Sequence, residues 1–359
     1  MKIGIITFHC SYNYGSVLQA FALQEYINRN IGQAQIVDFV QPENFKQYRL
    51  FRRHLYLAHP RSLAGDLAHM LPNWKRKRSF QGFVRRFVPV TPRRYTTCGD
   101  LAELNGQFDA FICGSDQIWN PVCTNGLEPA YFLQFVQPGK KKVAYACSIG
   151  HAHLDAEYLD LFRTYLEGLS SICVREKTAQ RYLSALTNRP IQVALDPTLL
   201  LDRSVYIKMM PPVAASGYLF VYMLEQSDPL VTYAENLARQ TGKKIIYFSA
   251  KQERRYRDAV NAYGVPPERF LRYLHDADCV ITNSFHATVF SVLFEKRFCA
   301  FRTEKSASRV EDLLSSLGLS GRLFAPGFDM NETICYSKVN ERLNRLRTES
   351  ARYLIEALR

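Results

Sequence analysis

The chain has 359 residues, with 46 Lys and Arg against 33 Asp and Glu, a formal net charge of +13 and 47% hydrophobic residues. That length suits two domains of ordinary size, and the apolar content suits two packed cores, which excludes a disordered chain. No apolar run approaches the roughly 18 residues of a membrane span, and the nine cysteines hold no Cys-x-x-Cys pair, so we expect a reduced, cytosolic protein without a metal site.

From the N-terminus, Met1 to Phe8 holds an apolar stretch too short for a signal-peptide core and no small-residue cleavage site, so residues 2–7 are predicted to be a first buried strand. Residues 16–29 place Val17, Leu18, Phe21, Ala22 and Leu23 on one helical face, and residues 35–39 read as the next strand. Residues 45–94 interrupt this alternation. Thirteen cations, among them Lys75-Arg76-Lys77-Arg78, face one acid, Asp66, and are interleaved with Phe45, Tyr48, Phe51, Tyr56, Trp74, Phe80 and Phe83. Basic helices with aromatic faces suit an anionic membrane surface. A solvated basic face on an ordinary insertion is the plain alternative, and no nucleic-acid fold signature accompanies the charge.

Alternation resumes with strands at 108–113, 142–146, 171–174 and 192–194 and helices at 156–168 and from 175 to 186. Residues 208–217, with Pro211-Pro212 and Gly217, read as a linker. Strands follow at 218–223, 244–248, 279–282 and 298–301, with helices at 229–241, 254–263, 268–275, 287–294 and 309–317. Residues 337–359 carry Val339, Leu343, Leu346, Tyr353 and Leu354 at helical spacing. The pattern predicts two doubly wound, Rossmann-like α/β domains, 1–207 and 218–336, facing each other across a cleft closed by a C-terminal amphipathic helix.

Two strand ends concentrate polar chemistry. Phe108 to Cys113 runs into Gly114-Ser115-Asp116-Gln117-Ile118-Trp119-Asn120-Pro121, and Cys279 to Thr282 runs into Asn283-Ser284-Phe285-His286. Ligands of open α/β sheets bind at such carboxyl ends. His286 opens a helix, where free N–H groups and the dipole favour an anion. It can bind a phosphate or act as acid or base, or simply cap the helix. Asp116 suits a base, a hydroxyl-orienting group or a cation stabiliser, and equally an Asx turn. Asn13-Tyr14-Gly15 precedes a long helix, but its spacing matches neither a Rossmann fingerprint nor a P-loop.

Asn13 to Ala20, Gly114 to Asn120, Val174-Arg175-Glu176, Asp196-Pro197-Thr198-Leu199-Leu200 and Ser284-Phe285-His286, in that order, resemble the polysaccharide pyruvyl transferase family over most of the chain. The resemblance implies a GT-B-like fold and transfer of the pyruvyl skeleton of phosphoenolpyruvate to a sugar, giving a ketal and phosphate without organic cofactor or metal. It implies His286 and Asp116 as catalytic groups. Arg175, Ser284, His286, Arg302, Lys305, Arg309 and His151 are then expected at the phosphoenolpyruvate, because Arg pairs bidentately with carboxylate and phosphate. Asn13, Tyr14, Gly15, Ser115, Asp116, Gln117, Trp119 and Asn120 are expected on the acceptor side. Part of the family has Arg where Ser284 stands, and Arg302, Lys305 and Arg309 are the candidate replacements. Plainer roles are a salt bridge of Arg175 with Glu176 or Asp196, packing for Trp119 and a turn at Asp196-Pro197.

The implied partners are phosphoenolpyruvate, a lipid-diphosphate-linked sugar and the anionic inner membrane surface, with no nucleic acid. Two other functions compete. A nucleotide-sugar glycosyltransferase needs a ribose-binding carboxylate, for which Glu295 or Glu304 are the candidates. A non-catalytic membrane or polyanion binder explains the basic insertion but leaves both strand-end motifs idle.

Overall fold

The structure, a computed structural model, describes residues 1–42, 67–150, 153–212, 216–249, 256, 259–303 and 307–359. His151, Lys305, Glu304 and the first part of the basic insertion, 45–66, lie outside the described residues.

The first unit alternates strand and helix: β1 (Lys2–Ile6), α1 (Tyr14–Asn30), β2 (Gln33–Ile36), α2 (Met70–Phe87), β3 (Ala110–Cys113), β4 (Lys141–Cys147), α3 (Leu159–Glu167), β5 (Ser171–Val174), α4 (Lys177–Ser184) and β6 (Ile191–Val193). Its six parallel strands lie in the order β2-β1-β3-β4-β5-β6. After α5 (Arg203–Met209), the second unit runs β7 (Tyr218–Met223), α6 (Asp228–Thr241), β8 (Lys244–Ser249), β9 (Ala259–Asn261), α7 (Pro267–Asp276), β10 (Cys279–Thr282), α8 (Phe285–Leu293), β11 (Arg297–Ala300) and α9 (Ala307–Leu317). Its five parallel strands are ordered β11-β10-β7-β8-β9. The central strands β3, β7 and β10 are buried along their whole length, as expected where helices cover both faces of a parallel sheet.

Strand order reverses between β1 and β3 in the first sheet and between β7 and β10 in the second. Those two gaps are the topological switch points, where loops leaving neighbouring strands diverge and open a crevice. The helix predicted over 254–263 is corrected in part: Ala259–Asn261 pairs with Ile245 to Tyr247 as an edge strand, a position that suits the β-branched Val260.

The two units share an interior. One apolar cluster joins Phe21, Phe80 and Phe83 of the first unit to Phe220, Phe248, Phe270 and Phe290 of the second. Tyr14 stacks on Phe270 with centroids 4.2 Å apart and donates its hydroxyl hydrogen to Val265 O at 3.1 Å. The last helix, α10 (Tyr336–Leu358), starts on the second unit, where Arg342 reaches Leu317 O at 3.0 Å. It ends on the first, where Ser350 Oγ accepts from Leu195 N at 2.9 Å and Tyr353 donates to Ala144 O at 2.9 Å. The cleft expected between the domains is therefore narrowed to cavities at the switch points. No helix among the described residues is long and apolar enough to cross a membrane.

Candidate active site

At the first switch point the chain leaves β3 through Gly114, whose φ is +111°. A Cβ there would lie 2.1 Å from Tyr145 O, so glycine alone lets the turn pass β4. Asp116 follows with φ of 72°, a left-handed conformation that Asp tolerates better than most residues and that recurs at functional sites. Ser16, in the first turn of α1, donates to Asp116 Oδ2 at 2.6 Å. Asn13 caps α1 by accepting from Gly15 N at 2.9 Å.

At the second switch point Asn283 pins the β7 loop, accepting from Leu224 N at 2.8 Å and donating to Glu225 O at 2.7 Å. Ser284 caps α8 through Ala287 N at 3.4 Å, and His286 follows within the first turn. Helices α1 and α8 meet because residue 15 has no side chain: a Cβ on Gly15 would fall 2.0 Å from His286 Nδ1.

Beneath these loops lies an ion cluster centred on Asp196. Its Oδ1 accepts from Thr198 N and Oγ1 at 3.0 and 2.6 Å. Its Oδ2 takes Arg175 Nη1 at 2.8 Å and stands 3.3 Å from His286 Nε2. Burial alone would raise this carboxyl, but His286 and Arg175 outweigh it and hold it well below the usual carboxylate range. The imidazole contact is at ion-pair distance without hydrogen-bond geometry, so His286 Nε2 is buried with no hydrogen-bond partner. Arg175 also lies 3.5 Å from Glu176 and 3.9 Å from Asp116, with its face 4.5 Å from the Phe285 ring centroid. Burial works against its charge, but Glu176, Asp196 and Asp116 together raise its pKa above the ordinary arginine value.

Above the cluster is a cavity of about 110 Å³ lined from both units, by Asn13, Ser16, Asp116 and Gln117 on one side and by Glu225, Asn283, Phe285, His286 and Arg309 on the other. Arg309 comes from the first turn of α9. Burial, then repulsion from Arg175, depress its pKa, its Nε is buried without a hydrogen-bond partner, and no ion pair to it occurs among the described residues. Gln117 lies between Asn120 and Arg309; turned with its oxygen toward the guanidinium, that oxygen stands 3.2 Å from both terminal nitrogens. A second cavity of about 360 Å³ shares Asn13, Ser16, Asp116 and Gln117 and adds Phe8, Phe39, Gln41 and Tyr131. Asp116 stands on the wall between the two.

Several expected site residues are placed elsewhere. Arg175 is tied to three carboxylates behind Phe285 and does not line the cavity. Arg302 is exposed and paired with Glu311 at 2.6 Å. Ser284 spends its hydroxyl on the cap. Trp119 is fully buried, stacked on Phe132 at 5.2 Å and donating to Tyr131 O at 3.0 Å, so no sugar reaches its face. Ser115 donates to Ala146 O at 2.8 Å, Asn120 caps the turn Pro121–Thr124, and Tyr14 is part of the shared core. Glu295, the candidate ribose ligand, pairs with Arg203 at 3.1 Å and Asn340 at 2.9 Å, away from the cavity. Sequence reasoning missed Ser16, Asn283 and the weight of Asp196. The Asp-Pro pair does start a turn, but one oxygen makes the turn and leaves the other for Arg175 and His286.

Two parallel α/β units joined at their switch points, with a polar cavity between, define a GT-B-like two-domain fold. The UDP-GlcNAc 2-epimerase of Neisseria meningitidis bound to UDP-GlcNAc superposes with a TM-score of 0.52 at 8% identity, covering 100% of this chain and 99% of that one. The Methanocaldococcus jannaschii enzyme in complex with UDP-GlcNAc and UDP gives 0.50 at 10% identity over 100% and 99%. The Rickettsia bellii enzyme gives 0.50 at 10% over 99% and 96%. At such identities the likeness is one of fold. No curated protein matches the sequence. The sequence profile of the polysaccharide pyruvyl transferases matches residues 13–305, and the chain belongs to that family.

Proposed function

We propose that this enzyme transfers the pyruvyl unit of phosphoenolpyruvate to two hydroxyls of one sugar in a surface-polysaccharide precursor, forming a ketal and releasing phosphate. The observation that carries this reading is Arg309, a buried guanidinium with no ion pair among the described residues, beside His286 and the N-terminus of α8 in a cavity shared by both units. A buried cation that nearby carboxylates only partly offset is costly, and a small dianionic or trianionic ligand relieves that cost.

In the reaction, C3 of phosphoenolpyruvate gains a proton, two sugar oxygens bond to C2, and the C2–O bond to phosphate breaks. Of the two hydroxyl protons lost, one balances C3 and the other leaves with phosphate. In this reading His286 delivers or holds the C3 proton, with the Asp196 carboxylate 3.3 Å from its Nε2. Asp116, on the wall between the cavities, accepts a hydroxyl proton and faces the positive charge that develops at C2. The larger cavity takes the acceptor. No cofactor or metal is assigned. The acceptor is lipid-diphosphate-linked in this reading, and the basic helix α2 holds the enzyme at the inner membrane face.

His286→Ala should lower turnover by about 10²-fold or more, the scale of a lost general acid or base. Arg309→Gln should act chiefly on the KM for phosphoenolpyruvate. Phosphate release and product mass, measured with a panel of lipid-linked sugars, test both. Strict dependence on a nucleotide sugar as donor would overturn the reading in favour of a glycosyltransferase.

A further inference from the structure

A third cavity, of about 310 Å³, lies on the far side of the β1–α1 loop, beneath α2. Its walls are largely apolar, formed by Val17, Phe80, Val84 and Val90, and its lining includes Arg85 and Arg94, both exposed residues. Arg94 pairs with Asp38 at 3.0 Å, and Asp38 also holds the buried His9 at 3.0 Å. Among the described residues Arg85 makes one hydrogen bond, to Gln81 O at 3.3 Å within its own helix. Counting His9 as protonated, one carboxylate faces three cations here. Cys10 and Ser11 line both this cavity and the acceptor cavity, and Ser11 Oγ is shielded from solvent with no hydrogen-bond partner. The third cavity shares Cys10 and Ser11 with the acceptor cavity, which in turn shares Asn13, Ser16, Asp116 and Gln117 with the smallest, so the three lie side by side along the β1–α1 loop.

We infer that the cavity beneath α2 binds a diphosphate ester whose other end is apolar or aromatic: the diphosphate pairs with Arg85 and Arg94, and the apolar end enters between Val17, Phe80, Val84 and Val90. This rests on the acceptor reading above and deepens it. The acceptor's anomeric end is then expected at Cys10 and Ser11, which line both this cavity and the acceptor cavity that Asp116 borders. The geometry also gives part of the basic insertion a binding task, because two guanidiniums beside an apolar hole favour a diphosphate with a tail over a bare anion. Two sources share that chemistry, a polyprenyl diphosphate and a nucleoside diphosphate, and the test separates them.

The full chain is titrated calorimetrically with geranyl diphosphate, with UDP and with inorganic pyrophosphate, in the absence of phosphoenolpyruvate. Wild type should bind at least one of the two esters at least 10-fold more tightly than pyrophosphate. The tighter of the two names the source. Arg85→Gln/Arg94→Gln and, separately, Val84→Trp should each weaken that binding by about 10-fold or more. A measurement without variants runs alongside: the bound ester should protect Cys10, and not the exposed Cys335, from alkylation. Absence of ester binding by wild type, equal binding by folded variants, or unchanged Cys10 alkylation under saturation overturns the inference. Phosphoenolpyruvate enters none of these readouts, so failure of the donor assignment leaves them intact.

Discussion

Two contacts at the level of single residues decide how the site is built. Gly15 allows the first helix to press against His286, and even a methyl group there overlaps the imidazole. Gly15→Ala should leave the fold standing and lower kcat as far as His286→Ala does, because the ring is driven from its place. A Gly15→Ala enzyme with wild-type kcat would show that His286 does not need that position. Asp196 supports a sharper statement about pH. Its carboxyl is depressed in the folded state, so its stabilising contribution is present above the unfolded value of about 3.9 and is lost as pH falls through the lower folded value. Asp196→Asn should therefore melt well below wild type at pH 7, with the gap narrowing at pH 3; an equal gap at both pH values would contradict the ion cluster. The sequence marked His286, Asp116, Gln117, Asn13 and Arg309 because they follow strand ends or family motifs. It left open whether Trp119 packs or meets a sugar, and whether Arg175 pairs with Glu176 or Asp196 or reaches the ligand. Those outcomes depend on Phe132, Phe285 and Asp196, which approach from distant parts of the chain.

Among the elements, strands and helices with one buried face were legible from their apolar spacing. Tyr218–Met223 and Cys279–Thr282 have the predicted bounds. The edge strand at Ala259–Asn261 was not, because three residues paired on one side carry too little pattern to stand apart from a helix. Helix α2 shows both the reach and the limit of charge reading. Phe80 and Phe83 turn inward, and Arg76 reaches the Tyr12 carbonyl and the Tyr263 hydroxyl, so these residues are structural. Leu71 and Trp74 remain 70% and 47% exposed, with Lys75 and Arg78 exposed beside them. Each such cation near an anionic membrane is worth about 1 kcal/mol. Wild type should float with anionic vesicles at low salt, and Lys75→Ser/Lys77→Ser/Arg78→Ser, which spares Arg76, should float less. Equal and negligible flotation of both makes the outer face of α2 a solvated surface. Helix α9 has a double task of another kind: Arg309 enters the cavity, while Asp312, one turn on, accepts from Thr178 N and Oγ1 at 3.1 Å across the unit boundary. That bond ties the helix that carries Arg309 to the N-terminus of α4.

In the whole molecule, two units drawn from sequence as separate domains prove to have a common interior. Aromatic residues of α1, α2, α7, α8 and β8 belong to one cluster, and breaking it exposes apolar surface on both sides at about 25 cal/mol per Å². Calorimetry should accordingly give one unfolding transition with equal calorimetric and van't Hoff enthalpies, where a pair of independent domains would give two. Alternation and chain length made the count of units legible. The extent of their fusion was not, because the joining residues look like ordinary core positions within each half. The last helix carries this further. Ser350 and Tyr353 bond to Leu195 and to β4, so one face of the first sheet is covered by residues made some two hundred positions later. During synthesis the early half must wait, partly uncovered, until those residues leave the ribosome. The first sheet is thus completed only after residues 350–353 have been made.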